Sequence, residues 1–129
     1  GSCNQGYMIL FGAVEGDTLF DVETLAQKTV NLRIFTDEND KMNKSILDVD
    51  GEILAISQFT LAADVKKGNR PSFTKALEPK LAEEYYNIFC DKLLSLGVKK
   101  VAKGIFGADM KVSILNDGPV TIIIDSKEK

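Results

Sequence analysis

At 129 residues, with 44% hydrophobic and 27% charged content, the chain is the size of one domain and carries enough apolar material for a single core. A formal net charge of −3 argues against a protein that coats nucleic acid through a broad basic face. The sequence has no histidine, which removes Ser-His-Asp and Cys-His triads, the H-E-x-x-H zinc site and imidazole acid/base catalysis together.

No apolar run approaches the roughly 18 residues that would cross a bilayer, and the longest, Tyr7 to Ala13, has no basic segment ahead of it. The two cysteines, Cys3 and Cys90, are too few for a disulfide framework, and no cluster has metal-ligand spacing. The expectation is a cofactor-free protein of the reducing cytoplasm, away from membranes.

Gly1-Ser2 reads as the remnant of a cleaved purification tag, so the domain is placed at residues 3–125, with 126–129 as a loose polar tail. Gly6 to Val14 is short, apolar and bounded by glycines, which suits a buried strand. Glu15-Gly16-Asp17 turns the chain, and Asp17 or Thr18 can cap a helix over Thr18 to Thr29. Its apolar positions Phe20, Val22, Leu25, Ala26 and Val30 fall mainly on one side. Asn31 to Thr36 alternates like a half-buried strand, and a hairpin-like excursion covers Lys41 to Asp50. After the Asp50-Gly51 turn, Glu52 to Leu61 reads as a central strand, apolar first and polar at its far end. A loop from Ala62 to Pro71 carries Lys66, Lys67 and Arg70, and leads to a second helix with Leu81, Tyr85, Phe89, Leu93 and Leu96 on one face and Gly97 as C-cap. Val98 to Val101, Met110 to Leu115 and Val120 to Ile124 read as further strands. Together these elements predict an α+β fold with a mostly antiparallel sheet and two main helices.

Two segments have residue types suited to chemistry. Ser57-Gln58-Phe59-Thr60 places two hydroxyls and a carboxamide at the polar end of an apolar strand, and on spacing alone it is either a solvent-facing strand end or a site. Asn116-Asp117-Gly118-Pro119 is a good turn in its own right, because Asn, Asp and Gly tolerate left-handed geometry. Lys66, Lys67 and Arg70 are either phosphate contacts or an ordinary solvated cluster. Phe73 and Met110 are either ligand-packing or core residues.

Taken together, Ser57-Gln58-Phe59-Thr60-Leu61 and Asn116-Asp117-Gly118-Pro119-Val120-Thr121 resemble the two signatures of the D-aminoacyl-tRNA deacylases. Lys67-Gly68-Asn69-Arg70-Pro71-Ser72-Phe73 and Gly104-Ile105-Phe106-Gly107-Ala108-Asp109-Met110 also resemble that family, and the likeness runs from Gly6 to Asp125. The resemblance implies a single domain with a barrel-like sheet, and a homodimer that hydrolyses the ester joining a D-amino acid, or glycine, to the 3′ end of tRNA.

On the same resemblance, Ser57, Gln58, Phe59 and Thr60 are the catalytic segment, and Gly118-Pro119, with Asn116 beside it, reaches from one subunit into its partner's site and reads chirality with main-chain atoms. Phe73 and Met110 join the substrate-binding set, while Lys66, Lys67 and Arg70 contact tRNA. An aminoacyl ester is already activated, so positioning and oxyanion stabilisation suffice without histidine. Thr60, which has no base partner, is expected to act by hydrogen bonding, with the 2′-hydroxyl of the tRNA assisting water. Family members carry a further strand hairpin of roughly twenty residues before the segment equivalent to Gly6 to Val14; its lack here implies an exposed edge on the first strand. The alternatives are an impaired dimeric scaffold and a nucleic-acid-associated interaction protein of the same fold.

Overall fold

Two six-residue apolar segments, β1 (Gly6–Phe11) and β4 (Glu52–Ser57), lie side by side and parallel in the computed structural model, which describes residues 1–127. Between them come α1 (Leu19–Asn31) and the short strands β2 (Phe35–Thr36) and β3 (Met42–Lys44), which pair antiparallel as a separate hairpin. A 3-10 turn (Phe59–Ala62), α2 (Pro79–Ser95) and β5 (Val101–Lys103) follow, and β5 joins β4 in parallel, giving the sheet order β1-β4-β5.

Capping chemistry sets the helix ends. Thr18 is the N-cap of α1, and its amide donates to Asp21 Oδ2 at 2.8 Å. Glu78 caps α2: its carboxylate accepts from the amides of Lys80 (2.9 Å) and Leu81 (3.1 Å), with Pro79 at the first helical position, where no N–H is needed. At the other end Gly97, at φ 114°, turns the chain so that Val98 N–H reaches the Leu93 carbonyl at 3.2 Å.

The core forms where α1 and α2 pack against each other and over the sheet. Val22, Ala26 and Val30 of α1 meet Tyr86, Phe89, Cys90 and Leu93 of α2, with Phe11, Ile53 and Ala55 from the strands. Phe11 and Phe89 stand 4.9 Å apart between ring centroids. Inside this core the Tyr86 hydroxyl donates to the Ala55 carbonyl at 2.6 Å, which ties α2 to the central strand. Burial pushes that hydroxyl up to about 12. No helix among the described residues is long and apolar enough to cross a membrane.

The structure corrects the expected mostly antiparallel, barrel-like sheet. The main sheet is parallel and three-stranded, the only antiparallel strand pair among the described residues is the small β2–β3 hairpin, and there is no closed barrel. A helix lies between β1 and β4 and another between β4 and β5, and such crossovers bring the next strand in with the same direction. Closure fails because Met110–Leu115 and Val120–Ile124, expected as strands, pair with no strand among the described residues.

Several boundaries also move. Asn31 closes α1, so the expected strand from Asn31 shrinks to Phe35–Thr36, while Val98–Val101 gives way to Val101–Lys103. β4 ends at Ser57, because Gln58 leaves the ladder and the next residues wind into the 3-10 turn.

Candidate active site

Where β1, β4 and β5 end at their carboxyl termini, the chain opens a cleft of about 600 Å³. Its lining follows from that topology. Phe11 and Gly12 come from the end of β1, Ser57, Gln58 and Phe59 from the end of β4, and Phe106 to Met110 from the segment after β5. Glu78, Pro79 and Ala82 at the start of α2 close one side. Open parallel sheets present ligands with this end, because loops rather than paired strands leave it there.

Backbone bonds fix the turn that carries the polar residues. Gln58 N–H donates to the Phe11 carbonyl at 2.7 Å, and Leu61 N–H to the Gln58 carbonyl at 3.2 Å. The turn approaches β1 so closely that a Cβ on Gly12 would stand 2.9 Å from Leu61 Cβ and 3.2 Å from the Gln58 carbonyl oxygen. Gln58 Nε2 then donates to Thr60 Oγ1 at 2.6 Å, so the carboxamide holds the hydroxyl and leaves its O–H free to donate. Phe59, 58% exposed, meets Phe73 edge to face with centroids 5.1 Å apart, an aromatic pair at the mouth. Met110 enters the cleft over Gly104, where a Cβ would come within 2.7 Å of its Sδ.

This geometry belongs to a chain with close relatives. Residues 1–125 match the family described as D-Tyr-tRNA(Tyr) deacylase. The chain belongs to that family. It is similar to the D-aminoacyl-tRNA deacylase of Parabacteroides distasonis, 55% identical over 126 residues covering 97% of this chain and 83% of the relative. It is also similar to that of Aquifex aeolicus, 57% identical over 128 residues covering 99% and 86%. Among solved structures, c-Myc DNA Unwinding Element Binding Protein superposes with a TM-score of 0.86 at 43% identity, covering 93% of this chain and 81% of that one.

Within this deacylase-family chain, the residues singled out from sequence separate into three groups. Ser57, Gln58, Phe59, Phe73 and Met110 line one cleft, with Thr60 beside it on the Gln58 carboxamide. Lys66, Lys67 and Arg70 are exposed on a loop outside the lining, closed by the paired backbone bonds of Asp64 and Ser72 at 2.7 and 2.9 Å. Asn116, Gly118 and Pro119 lie apart from the cleft on an exposed segment, where the Gly118-Pro119 peptide is cis and Asn116 Oδ1 accepts from Val120 N–H at 3.3 Å.

Sequence reasoning passed over Phe106, Asp109, Glu78 and Pro79 as lining residues. The glycines flanking Ile105-Phe106 directly after a short strand were the available signal for the first two. Glu78-Pro79 at a helix start was the signal for the others. Among the described residues no group of three or more Cys, Asp or Glu side chains is placed to hold a metal ion.

Proposed function

We propose that the chain removes D-amino acids, and glycine, from the 3′ end of tRNA by hydrolysing the aminoacyl ester. The observation that carries this reading is the Gln58–Thr60 pair on a tight turn at the mouth of an apolar cleft, in a chain of the D-Tyr-tRNA(Tyr) deacylase family. Water attacks the ester carbonyl carbon, the bond to the ribose 3′-oxygen breaks, and that oxygen leaves with a proton, yielding free amino acid and tRNA. The amides of Phe59 and Thr60 open the 3-10 turn, where the first N–H groups have no partner within the turn. They are the proposed oxyanion donors, each worth about 3–4 kcal/mol in comparable sites.

Thr60 acts here by positioning. Its oxygen already accepts the Gln58 amide proton, and the chain has no imidazole to activate it, both of which disfavour a covalent route. The vicinal 2′-hydroxyl of the tRNA is the group left to relay the proton. Phe59, Phe73 and Met110 supply apolar surface for the terminal adenosine, and Lys66, Lys67 and Arg70 supply salt-sensitive contacts to the acceptor-stem phosphates. The work belongs to the cytoplasm, where translation uses the tRNA.

Chirality is assigned to Gly118-Pro119, acting on the site of a second subunit. The segment that carries this pair supports such an assembly: Leu115 and Ile123 are 98% and 88% exposed, an unfavourable state for aliphatic side chains in a lone subunit. The experiment is hydrolysis of D-Tyr-tRNA and Gly-tRNA against L-Tyr-tRNA, with molecular mass measured alongside. Selective release from the first two by a dimer is expected; a folded dimer that releases neither would falsify the reading. A second reading, nucleic-acid binding without hydrolysis, is favoured by the c-Myc DNA Unwinding Element Binding Protein likeness, and retention of a DNA duplex by a chain inactive on D-Tyr-tRNA would select it.

A further inference from the structure

We infer that Lys127 is a positioning residue: clasped between Asp17 and Asp21, its ammonium fixes the far end of the segment that carries Gly118-Pro119. The inference rests on the deacylase reading above for its consequence, though not for its geometry. Lys127 Nζ lies 3.1 and 3.0 Å from the two carboxylate oxygens of Asp21 and 3.5 Å from Asp17 Oδ1. From sequence this residue belonged to a loose polar tail; residues 128 and 129 of that tail lie outside the described residues.

The receiving carboxylates are held in place without the lysine. Asp17 Oδ2 accepts from Val14 N–H at 2.8 Å, and Asp21 Oδ2 accepts from Thr18 N–H at 2.8 Å, both at the entry to α1. With Lys127 in place their side chains are 14% and 13% exposed. An ammonium attracts both carboxylates as no neutral side chain would. The Thr18 amide, then Lys127, holds the Asp21 carboxyl down to about 2, so Asp21 stays charged at any physiological pH.

The segment has few other attachments. Among the described residues, 109–125 makes no hydrogen bond or ion pair to the body of the chain; its bonds are Val120 N–H to Asn116 Oδ1 and Lys127 N–H to Asp125 Oδ1, at 3.3 and 2.9 Å. Its near end is held by Met110 against Gly104 and by Val112 at the cleft. Within its own subunit, Gly118-Pro119 therefore hangs between an apolar anchor and an electrostatic one. Release of the second anchor lets the turn sample more positions, and a filter that works by excluding one enantiomer loses selectivity when its position spreads.

Lys127→Met keeps the apolar stem and removes the charge, and Lys127→Arg keeps the charge. Backbone NMR order parameters over 112–124 and the ratio of D-Tyr-tRNA to L-Tyr-tRNA hydrolysis are measured for both. Lys127→Met is expected to lower the order parameters and to lower the ratio about threefold, the scale of a partly exposed ion pair, with Lys127→Arg near wild type. Unchanged order parameters in Lys127→Met overturn the clasp, whatever the activity. Lower order parameters with an unchanged ratio overturn the positioning role. A wild-type chain inactive on both substrates refutes the deacylase reading instead, and the order parameters still decide the clasp.

Discussion

The body of the molecule and the segment 109–125 solve opposite problems with similar residues. In the body, β-branched and aromatic side chains are buried between two helices and a parallel sheet, and the Tyr86 hydroxyl is paired inside the core. In the segment, Val112, Ile114, Leu115, Val120, Ile122 and Ile123 are equally apolar, yet each is at least 38% exposed. Burial sets the two regions apart, since composition does not. An apolar run covered by its own chain contributes to folding, and one left uncovered is available to a partner.

That contrast breaks most readily at Leu93, which is fully buried in the core. Leu93→Ala is expected to cost about 2–5 kcal/mol in chemical denaturation, whatever the oligomeric state. On the chemistry, Thr60→Ala should slow D-Tyr-tRNA hydrolysis roughly tenfold without abolishing it, since one hydrogen-bonding group of about 1.4 kcal/mol is removed. Complete loss, together with an acyl-enzyme trapped on the wild type, would return the nucleophile to Thr60.

A smaller effect is expected at Tyr86. Tyr86→Phe should cost about 1 kcal/mol in denaturant, because the Ala55 carbonyl keeps the Gly104 amide at 3.3 Å. Burial raises Tyr7 and Tyr86 from 10 to about 12, and Cys90 from 9 to about 11. The unfolded chain therefore gives up these protons first. Their stabilising contribution is complete below pH 9 and is lost as pH rises from there towards 12, which denaturation curves at stepped alkaline pH would record. The smallest folding effect belongs to Leu115→Ser, expected within about 0.5 kcal/mol for the isolated subunit. Its mass by sedimentation is the sharper measurement: a shift towards monomer places Leu115 in the subunit contact, and a folding loss as large as that of Leu93→Ala would erase the contrast.

Both helices were legible because capping residues and a 3.6-residue period are local properties: Asp17 or Thr18 marks the start of the first helix and Gly97 the end of the second in one dimension. Strand direction was not, since the apolar run Ile53–Ile56 looks the same whichever way its neighbour runs. The intervening helices were the better guide to a parallel sheet, and the β-branched runs near the C-terminus outweighed them in the sequence reading. A β-branched run states that a residue favours extended surroundings and leaves open which chain provides them. The cleft was legible at Ser57–Phe59 and only in outline at Phe106–Asp109, where glycines rather than reactive side chains carry the signal. Lys127 had no signal at all: its partners, Asp17 and Asp21, lie at the opposite end of the sequence.

Gly12 makes the mouth of the cleft unusually dependent on an atom that is missing. A methyl group there would act as a wedge between the end of β1 and the Phe59–Ala62 turn, pressing on Leu61 and on the Gln58 carbonyl that starts the turn. Position 12 is thus a point where one substitution can dissociate inheritance of the fold from inheritance of the activity, leaving a relative that folds alike and no longer holds the substrate.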